Sequence, residues 1–259
     1  MALADIVRAL QSESSHTAVF SDFDGTLSHI VDDPDTVTPI DGAVDCLTEL
    51  TNHVGIVAVI SGRPVAFLEQ FFSSTIELSG LYGLEHRTGE RLLVDPTALE
   101  WFPVMSKAAD DARIEFGPEA VEDKQYSITV HYRGAGEGVA AAVANWADRT
   151  AAESGLEARS AKMSVELHPP SSRSKGDAVE DLLATMTSAI YLGDDVGDLP
   201  AFRRLAGLHA SGALDSYAAV LVDSDEAPEE LRWHATDVVD SPEGAVALLQ
   251  SLLAAATET

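Results

Sequence analysis

Hydrophobic and polar residues follow one pattern near both ends of the chain. Short apolar runs without alternation are typical of strands that are buried on both faces of a parallel sheet, and they cover 17–21, 55–60, 189–192 and 219–222. Apolar residues at helical spacing predict helices over 2–10, 41–51 and 175–187. Because strands and helices alternate, we expect an α/β fold with a doubly wound parallel, Rossmann-like core.

The middle of the chain has a different pattern. Polar and apolar residues alternate over 120–132 and 156–168. Helical spacing covers 98–116 and 139–153. This combination predicts an antiparallel sheet with helices on one face. We therefore expect an α+β cap domain over 99–170, inserted into a core formed by 1–98 and 171–259.

The first apolar strand ends at Asp22, which begins the sequence Asp-Phe-Asp-Gly-Thr-Leu. Ligands of open parallel sheets bind beyond the carboxyl ends of the strands, so Asp22 and Asp24 lie where a substrate is expected. One carboxylate can attack phosphorus while the other protonates the leaving alcohol. Gly25 permits a sharp turn, and Thr26 offers a hydroxyl to a phosphate oxygen. The alternative interpretation is an acidic turn or a helix cap.

The strand at 189–192 is followed by Gly-Asp-Asp-Val-Gly-Asp, which places Asp194 and Asp195 at a second strand end. Carboxylates without a neighbouring His or Cys form a hard oxygen site that suits Mg²⁺ better than zinc. A divalent cation would also offset the repulsion between Asp22 and a phosphate dianion. The alternative is a loop with helix-capping aspartates.

Two shorter segments follow the same logic. Ser61, Gly62 and Arg63 come after the strand at 55–60, where a hydroxyl and backbone amides can hold a phosphate oxygen. Lys175 begins a predicted helix and can balance the charge of a nucleophile and a phosphoryl group. Taken singly, the first segment could be an ordinary turn and Lys175 a solvated surface residue.

In this order, the segments DFDGTL, SGR, SKG and GDD resemble the four loop motifs of the haloacid dehalogenase superfamily of phosphatases. The resemblance implies that Asp22 is the nucleophile and Asp24 the general acid and then base. It implies that Ser61 and Lys175 hold the phosphate. It also implies that Asp194 binds Mg²⁺ beside Asp22 and the backbone carbonyl of Asp24, and that the inserted domain is a large α/β cap.

A narrower resemblance is to the trehalose-6-phosphate phosphatase family. It is carried by DFDGTLSHIVDDPDTVTP, ISGRP, GLYGLEHRTGE, VEDKQYSITVHYR, VELHPP and GDDVGDLPAF, which together run from Asp22 to Phe202. In that family, residues of the cap recognise the sugar. The matching positions here are Glu122, Lys124, His131, Arg133 and Glu166. The alternative for these five residues is a solvated strand face.

The chain departs from the family pattern at several positions. The usual GDDxTDEDAF has Gly197 in place of Thr, Leu199 in place of Glu and Pro200 in place of the Asp that follows this Glu. Tyr82 precedes Gly83 where the family has His, and His168 stands where an Arg is expected after Glu166. The sequence changes therefore affect groups around the metal and the sugar more than the phosphatase residues themselves.

Charge and cysteine content limit the classes of partner. The 43 acidic and 16 basic residues give a formal net charge of −27, which repels nucleic-acid phosphates and anionic lipid. We expect a small-molecule sugar phosphate as the partner, with no nucleic acid, no membrane, and a monomer or weak oligomer. The single cysteine, Cys46, and the lack of a signal-like or membrane-length apolar run predict a cytoplasmic protein.

These observations predict a magnesium-dependent phosphatase that converts trehalose 6-phosphate to trehalose and phosphate through an aspartyl-phosphate intermediate. A related sugar phosphatase, acting on sucrose phosphate or a mannosyl phosphoglycerate, remains an alternative. So does a sugar-phosphate-binding module without catalysis, although it has no chemical need for Asp22, Asp24, Ser61, Lys175 and Asp194 together.

Overall fold

The structure is a computed structural model that describes residues 2–31, 36–136, 138–161, 163–170, 173–224 and 227–257. The family segment that begins at Asp22 includes residues 32–35, which lie outside these ranges. The chain divides into two compact units, 1–93 with 173–259 and 94–172. The second unit, 94–172, begins five residues before the cap expected over 99–170 and ends two residues after it. Its earlier start follows from the helix expected from 98, which already begins at Pro96 with Asp95 as its N-cap.

The described part of the first unit contains an eight-stranded sheet. Its strands are β1 (Thr17–Ser21), β2 (Ile56–Ile60), β3 (Glu77–Gly80), β4 (Glu85–Thr88), β5 (Arg91–Val94), β10 (Ser188–Gly193), β11 (Ser216–Val222) and β12 (Asp237–Val239). Within the sheet they lie in the order β12-β11-β10-β1-β2-β3-β4-β5. Its helices are α1 (Ala2–Glu13), α2 (Ala43–Leu50), α3 (Val65–Leu68), α6 (Lys175–Leu183), α7 (Leu199–Ala210), α8 (Glu229–His234) and α9 (Pro242–Thr257).

The four predicted strands, β1, β2, β10 and β11, pair in parallel as expected. β12 and β3, which were not predicted, extend the parallel part of the sheet, whereas β4 pairs with β3 in the antiparallel direction. Alternate residues of each central strand point to opposite faces, and both sets are apolar. Val19 and Ile190 pack with α1, α2 and α9 on one face. Phe20 and Tyr191 pack with α6, α7 and α8 on the other. Helices on both faces confirm the predicted doubly wound core.

The helix predicted over 175–187 is shorter than expected. It ends at Leu183, and Ala184 has a φ of 45°. The strand after it begins earlier than predicted, at Ser188, and the backbone N–H of Thr187 donates a hydrogen bond to the carbonyl of His16. Residues 184–187 therefore form the turn that lets the chain enter the sheet beside β1.

The described part of the second unit contains two helices and a four-stranded sheet. They are α4 (Pro96–Phe116), β6 (Val121–Asp123), β7 (Ile128–His131), α5 (Val139–Ser154), β8 (Glu157–Ala161) and β9 (Ser164–His168). The strand order is β6-β7-β9-β8, and each neighbouring pair is antiparallel. Ile128, Val130 and Leu167 pack against Ala109 of α4 and Trp146 of α5. Both helices therefore cover the same face of this sheet.

Across the part of the chain that the structure describes, no helix combines the length and the apolar character that a membrane span requires.

Candidate active site

Three neighbouring strands of the first unit bring residues predicted to act on phosphate to the same edge of the sheet. β1 lies between β10 and β2, and the parallel register aligns Ser21 with Leu192 and with Val59. Asp22, Ser61 and Asp194 follow these three strands directly, so their side chains emerge beside one another. The backbone N–H of Asp22 donates to the carbonyl of Leu192 at 2.9 Å, which fixes the start of the first loop against β10.

The first loop turns sharply at Gly25, which has a φ of 77°. A Cβ atom at this position would lie 2.1 Å from Oδ2 of Asp194, so both the left-handed backbone and the space require glycine. The Thr26 hydroxyl donates a hydrogen bond to Oδ1 of Asp194 at 3.3 Å. Thr26 therefore contacts the predicted metal ligand in this structure, and its predicted contact with phosphate stays a prediction.

Lys175 is buried between two carboxylates. Its Nζ lies 2.8 Å from Oδ2 of Asp22 and 2.7 Å from Oδ1 of Asp198. The residue is held there because Ser174 caps α6 and forms a capping box with Asp177. Burial by itself lowers the pKa of Lys175, but Asp198 and Asp22 raise it well above its ordinary value, so the ammonium stays charged.

The sequence analysis missed Asp198 as a site residue. Its carboxylate is fully buried and accepts hydrogen bonds from Lys175 Nζ and from the Tyr191 hydroxyl, the latter at 2.6 Å. Its other oxygen accepts from the backbone N–H groups of Asp194 and Asp195. Asp198 thus anchors both the loop that follows β10 and the lysine. The available signal was its place four residues after Asp194.

A group of carboxylates at this edge can hold a divalent cation. Among the described residues, Asp22, Asp195 and Asp198 offer oxygen atoms that all lie within 4.8 Å of one another. Burial, followed by repulsion from Asp198 and Asp195, raises the pKa of Asp194 to about 8. Burial and then Asp198 also raise the pKa of Asp22 well above its ordinary value. A cation would relieve this repulsion, and the oxygen-only donor set fits a hard divalent metal.

The loop that follows β2 holds Asp24 through Arg63. Arg63 donates from Nε and Nη2 to the two carboxylate oxygens of Asp24 at 2.9 and 2.8 Å. The guanidinium also lies 4.4 Å from the centroid of the Phe67 ring. The Ser61 hydroxyl oxygen accepts from the backbone N–H of Arg63 at 3.0 Å. Arg63 therefore fixes the position of Asp24. The role of Asp24 as general acid and that of Arg63 in substrate binding stay predictions.

Tyr82 and Gly197, two departures from the family pattern, lie beside each other. A Cβ atom on Gly62 would lie 2.8 Å from the phenol oxygen of Tyr82, and one on Gly197 would lie 3.5 Å from the same ring. Tyr82 has a φ of 57°, an unusual conformation for a residue other than glycine. The Tyr82 ring thus fills the space beside Gly62, and a side chain at position 197 would come into van der Waals contact with it.

Three of the predicted sugar-binding residues of the second unit, Glu122, His131 and Glu166, lie on the sheet face that α4 and α5 do not cover. Glu122 and Glu166 both neighbour Thr129 in the strand register and point to the same face as it does. Glu122 lies 3.0 Å from Nε2 of His131, and Lys124 Nζ lies 3.3 Å from Oε1 of Glu166. Arg133 follows β7 in an exposed turn, and its predicted contact with the sugar stays a prediction.

Other polar residues on this face were not predicted. Ser127 donates to Oε1 of Glu166 at 2.9 Å. Thr129 and His168 are buried on the same face. The alternating pattern of 120–132 and 156–168 could have indicated them, because every second residue of a strand shares a face. We refer to Glu122, Ser127, Thr129, His131, Glu166 and His168 as the polar cap face.

Comparisons with known proteins agree with this geometry. A protein of Mycobacterium ulcerans (strain Agy99), described as a trehalose-phosphate phosphatase, is 34% identical over 220 residues, covering 77% of this chain and 55% of the relative. The chain therefore spans about half the length of the curated relatives it matches.

Solved structures show the same fold. A trehalose-6-phosphate phosphatase related protein superposes with a TM-score of 0.79 at 18% identity, covering 93% of this chain and 99% of that one. A haloacid dehalogenase-like hydrolase from Bacteroides thetaiotaomicron superposes with a TM-score of 0.63 at 14% identity, covering 91% and 99%. The fold is thus the haloacid dehalogenase fold with a cap. Since the sequence model of the trehalose-phosphatase family matches residues 20–231, the chain belongs to the trehalose-phosphatase family.

Proposed function

We propose that this protein is a magnesium-dependent phosphatase that hydrolyses trehalose 6-phosphate to trehalose and phosphate. The observation that carries the proposal is the buried group in which Lys175 contacts both Asp22 and Asp198 beside Asp194. This proximity of a carboxylate, a buried positive charge and further carboxylate oxygens supports a reaction in which Asp22 attacks phosphorus and a metal ion binds beside it. Membership of the trehalose-phosphatase family supports the substrate.

In the first step, a carboxylate oxygen of Asp22 attacks phosphorus, and the bond between phosphorus and the sugar oxygen breaks. Asp24 transfers its proton to the leaving sugar oxygen. In the second step, Asp24 accepts a proton from a water molecule, whose oxygen attacks the phosphorus of the aspartyl phosphate. Phosphate leaves and Asp22 is restored. Lys175 and the Ser61 hydroxyl hold the phosphoryl oxygens during both steps.

Asp22, Asp194 and the backbone carbonyl of Asp24 would hold Mg²⁺, with Asp195 and Asp198 close to it. When bound, the ion would neutralise the charge on the phosphoryl oxygens and so permit the approach of an anionic nucleophile. The pKa of Asp194, raised to about 8 by burial and by its carboxylate neighbours, supports a requirement for a cation at this place.

The cap unit supplies specificity in this proposal. Glu122, Lys124, His131 and Glu166 offer charged donors and acceptors, and such groups suit the hydroxyl groups of a sugar. Their mutual contacts hold them in place before substrate arrives. The polar cap face would thus select a sugar phosphate, while the residues near Asp22 carry out the phosphoryl chemistry.

The test is phosphate release from trehalose 6-phosphate, glucose 6-phosphate and sucrose 6-phosphate, with Mg²⁺ and with a chelator. We expect a strong preference for trehalose 6-phosphate that the chelator removes. Asp22→Asn should abolish release, whereas Asp215→Asn should not, because Asp215 is exposed at the amino end of β11. A preference for another sugar would refute the substrate but keep the chemistry, and an active Asp22→Asn enzyme would refute the mechanism.

A further inference from the structure

Two buried polar atoms of the polar cap face have no hydrogen-bond partner among the described residues. They are Oγ1 of Thr129 and Nε2 of His168. The two residues are only 4% and 7% exposed. Buried polar side-chain atoms are normally paired, so each exception requires an explanation. A ligand that binds at this face would supply the missing partners.

The two residues lie close to each other on the sheet. Thr129 of β7 is directly opposite Glu166 of β9, and His168 lies two residues beyond Glu166 on the same strand. Residues two apart on a strand point to the same face. Such diagonal neighbours on an antiparallel pair are about 7–8 Å apart. One sugar ring with its hydroxyl groups can reach across this distance.

The hydrogen bond at Nδ1 of His168 determines which kind of partner Nε2 needs. Its Nδ1 lies 2.9 Å from the carbonyl oxygen of Pro169. A carbonyl only accepts, so Nδ1 carries the proton and Nε2 of the neutral ring is a bare acceptor. Burial, followed by the charge of Arg159, lowers the pKa of His168, and this favours the neutral ring. The ring nitrogen therefore needs a donor.

The carboxylates nearest to His168 cannot satisfy it. Glu157 Oε2 lies 3.9 Å from Nε2, beyond hydrogen-bond distance, and a carboxylate has no proton to donate. Glu166, on the same strand, already accepts from Ser127 and Lys124 through Oε1. The donor expected at His168 is thus a neutral hydroxyl or a similar group from outside this set.

Thr129, like His168, lies beside carboxylates that contact other side chains. Glu122 and Glu166 flank it in the register, on β6 and β9 respectively. Glu122 contacts His131, and Glu166 contacts Ser127 and Lys124. The Thr129 hydroxyl can both donate and accept, which is how a sugar hydroxyl behaves as well.

We propose that Thr129 and His168 are specificity-determining residues that bind hydroxyl groups of the sugar, with Nε2 of His168 accepting a hydrogen bond and Oγ1 of Thr129 exchanging one. This inference rests on the proposed function, because it requires a sugar phosphate as substrate. His168 stands where the family resemblance predicts an arginine, so the contact through Nε2 is a feature of this chain. A polyol meets both needs, because each of its hydroxyl groups can both donate and accept a hydrogen bond.

The experiment compares kcat/KM for trehalose 6-phosphate with kcat/KM for p-nitrophenyl phosphate, which has no sugar hydroxyls. The variants are Thr129→Val, His168→Leu and His168→Gln. In each of the first two, we expect the ratio of the two values to fall about tenfold, equivalent to about 1.4 kcal/mol. His168→Gln should recover most of the ratio, because its amide oxygen can serve as an acceptor near the position of Nε2.

The control is Ser160→Ala, which removes an exposed hydroxyl from β8 and should leave the ratio unchanged. Thermal unfolding of each variant checks that the fold is retained, and Thr129→Val keeps the test valid if His168→Leu does not fold. An unchanged ratio in Thr129→Val and His168→Leu would overturn the inference. So would a wild-type enzyme with no preference for any sugar phosphate over p-nitrophenyl phosphate. If wild type prefers a different sugar phosphate, only the proposed substrate fails, and the ratio is measured with that sugar.

Discussion

Replacing Lys175 by methionine removes the ammonium that lies between Asp22 and Asp198. The side chains of all three residues are at most 6% exposed, so water cannot screen the two carboxylates that remain. Breaking a buried ion pair by removing one partner costs about 3–5 kcal/mol. In a chain of this length, that loss corresponds to a melting temperature about 6–20 °C lower. Methionine keeps the apolar length of the side chain, so the missing charge accounts for most of the loss.

The assay is urea unfolding followed by circular dichroism, with a chelator present so that bound metal does not contribute. Lys107→Met is the matched control, because Lys107 is exposed and pairs with Asp111 on its own helix. We expect no measurable change from it. A loss below about 1 kcal/mol in Lys175→Met would refute the reasoning that this charge offsets the repulsion between the buried carboxylates.

The pH dependence gives a second measure of the same effect. The pKa of Asp22 is raised in the folded protein by burial and by Asp198, while Lys175 lowers it. A raised folded pKa means that the folded state binds more protons than the unfolded state between the two pKa values, so stability falls as the pH rises through that window. Removing Lys175 raises the folded pKa further. The stability of Lys175→Met relative to wild type should therefore be higher at pH 5 than at pH 8.

Two further changes test the packing around the site. Gly197→Thr adds atoms beside the Tyr82 ring and should lower the free energy of unfolding by about 1–3 kcal/mol, as overpacking does. In a double-mutant cycle, Tyr82→His should restore part of this loss, and additive effects would show that the two positions do not interact. Tyr191→Phe removes the hydroxyl that donates to Asp198 and should cost about 1.5–3 kcal/mol in urea unfolding. A loss near zero would mean that another donor replaces that hydroxyl.

Local patterns were sufficient for the central strands. β1 coincides with the predicted 17–21, and β2 begins one residue after the predicted start. The strands β3 and β12 were not predicted, and neither were β4 and β5 at one end of the sheet. Their sequences are short and partly polar, and β5 is exposed over most of its length, so burial leaves little pattern in them. Strands at the edge of a sheet are determined by pairing with a neighbour more than by their own periodicity.

The active site, like the sheet, was predicted only in part from the sequence. Sequence placed Asp22, Ser61 and Asp194 after three apolar strands, and the structure brings these strands side by side. It did not indicate that Asp198 would turn back to accept from Lys175, or that Arg63 would bind Asp24. Those contacts join residues 23 and 39 positions apart. No local periodicity encodes them.

By itself, the sequence determined the parallel core, the inserted α+β segment and the strand ends that carry the carboxylates, because backbone periodicity and burial act over a few residues. Only the tertiary structure decided which groups meet: Asp22 and Asp198 at Lys175, Tyr82 beside Gly197, and the unpaired atoms of the polar cap face. Electrostatic and steric contacts depend on distances in space, which strand order and loop conformation set after the chain has folded.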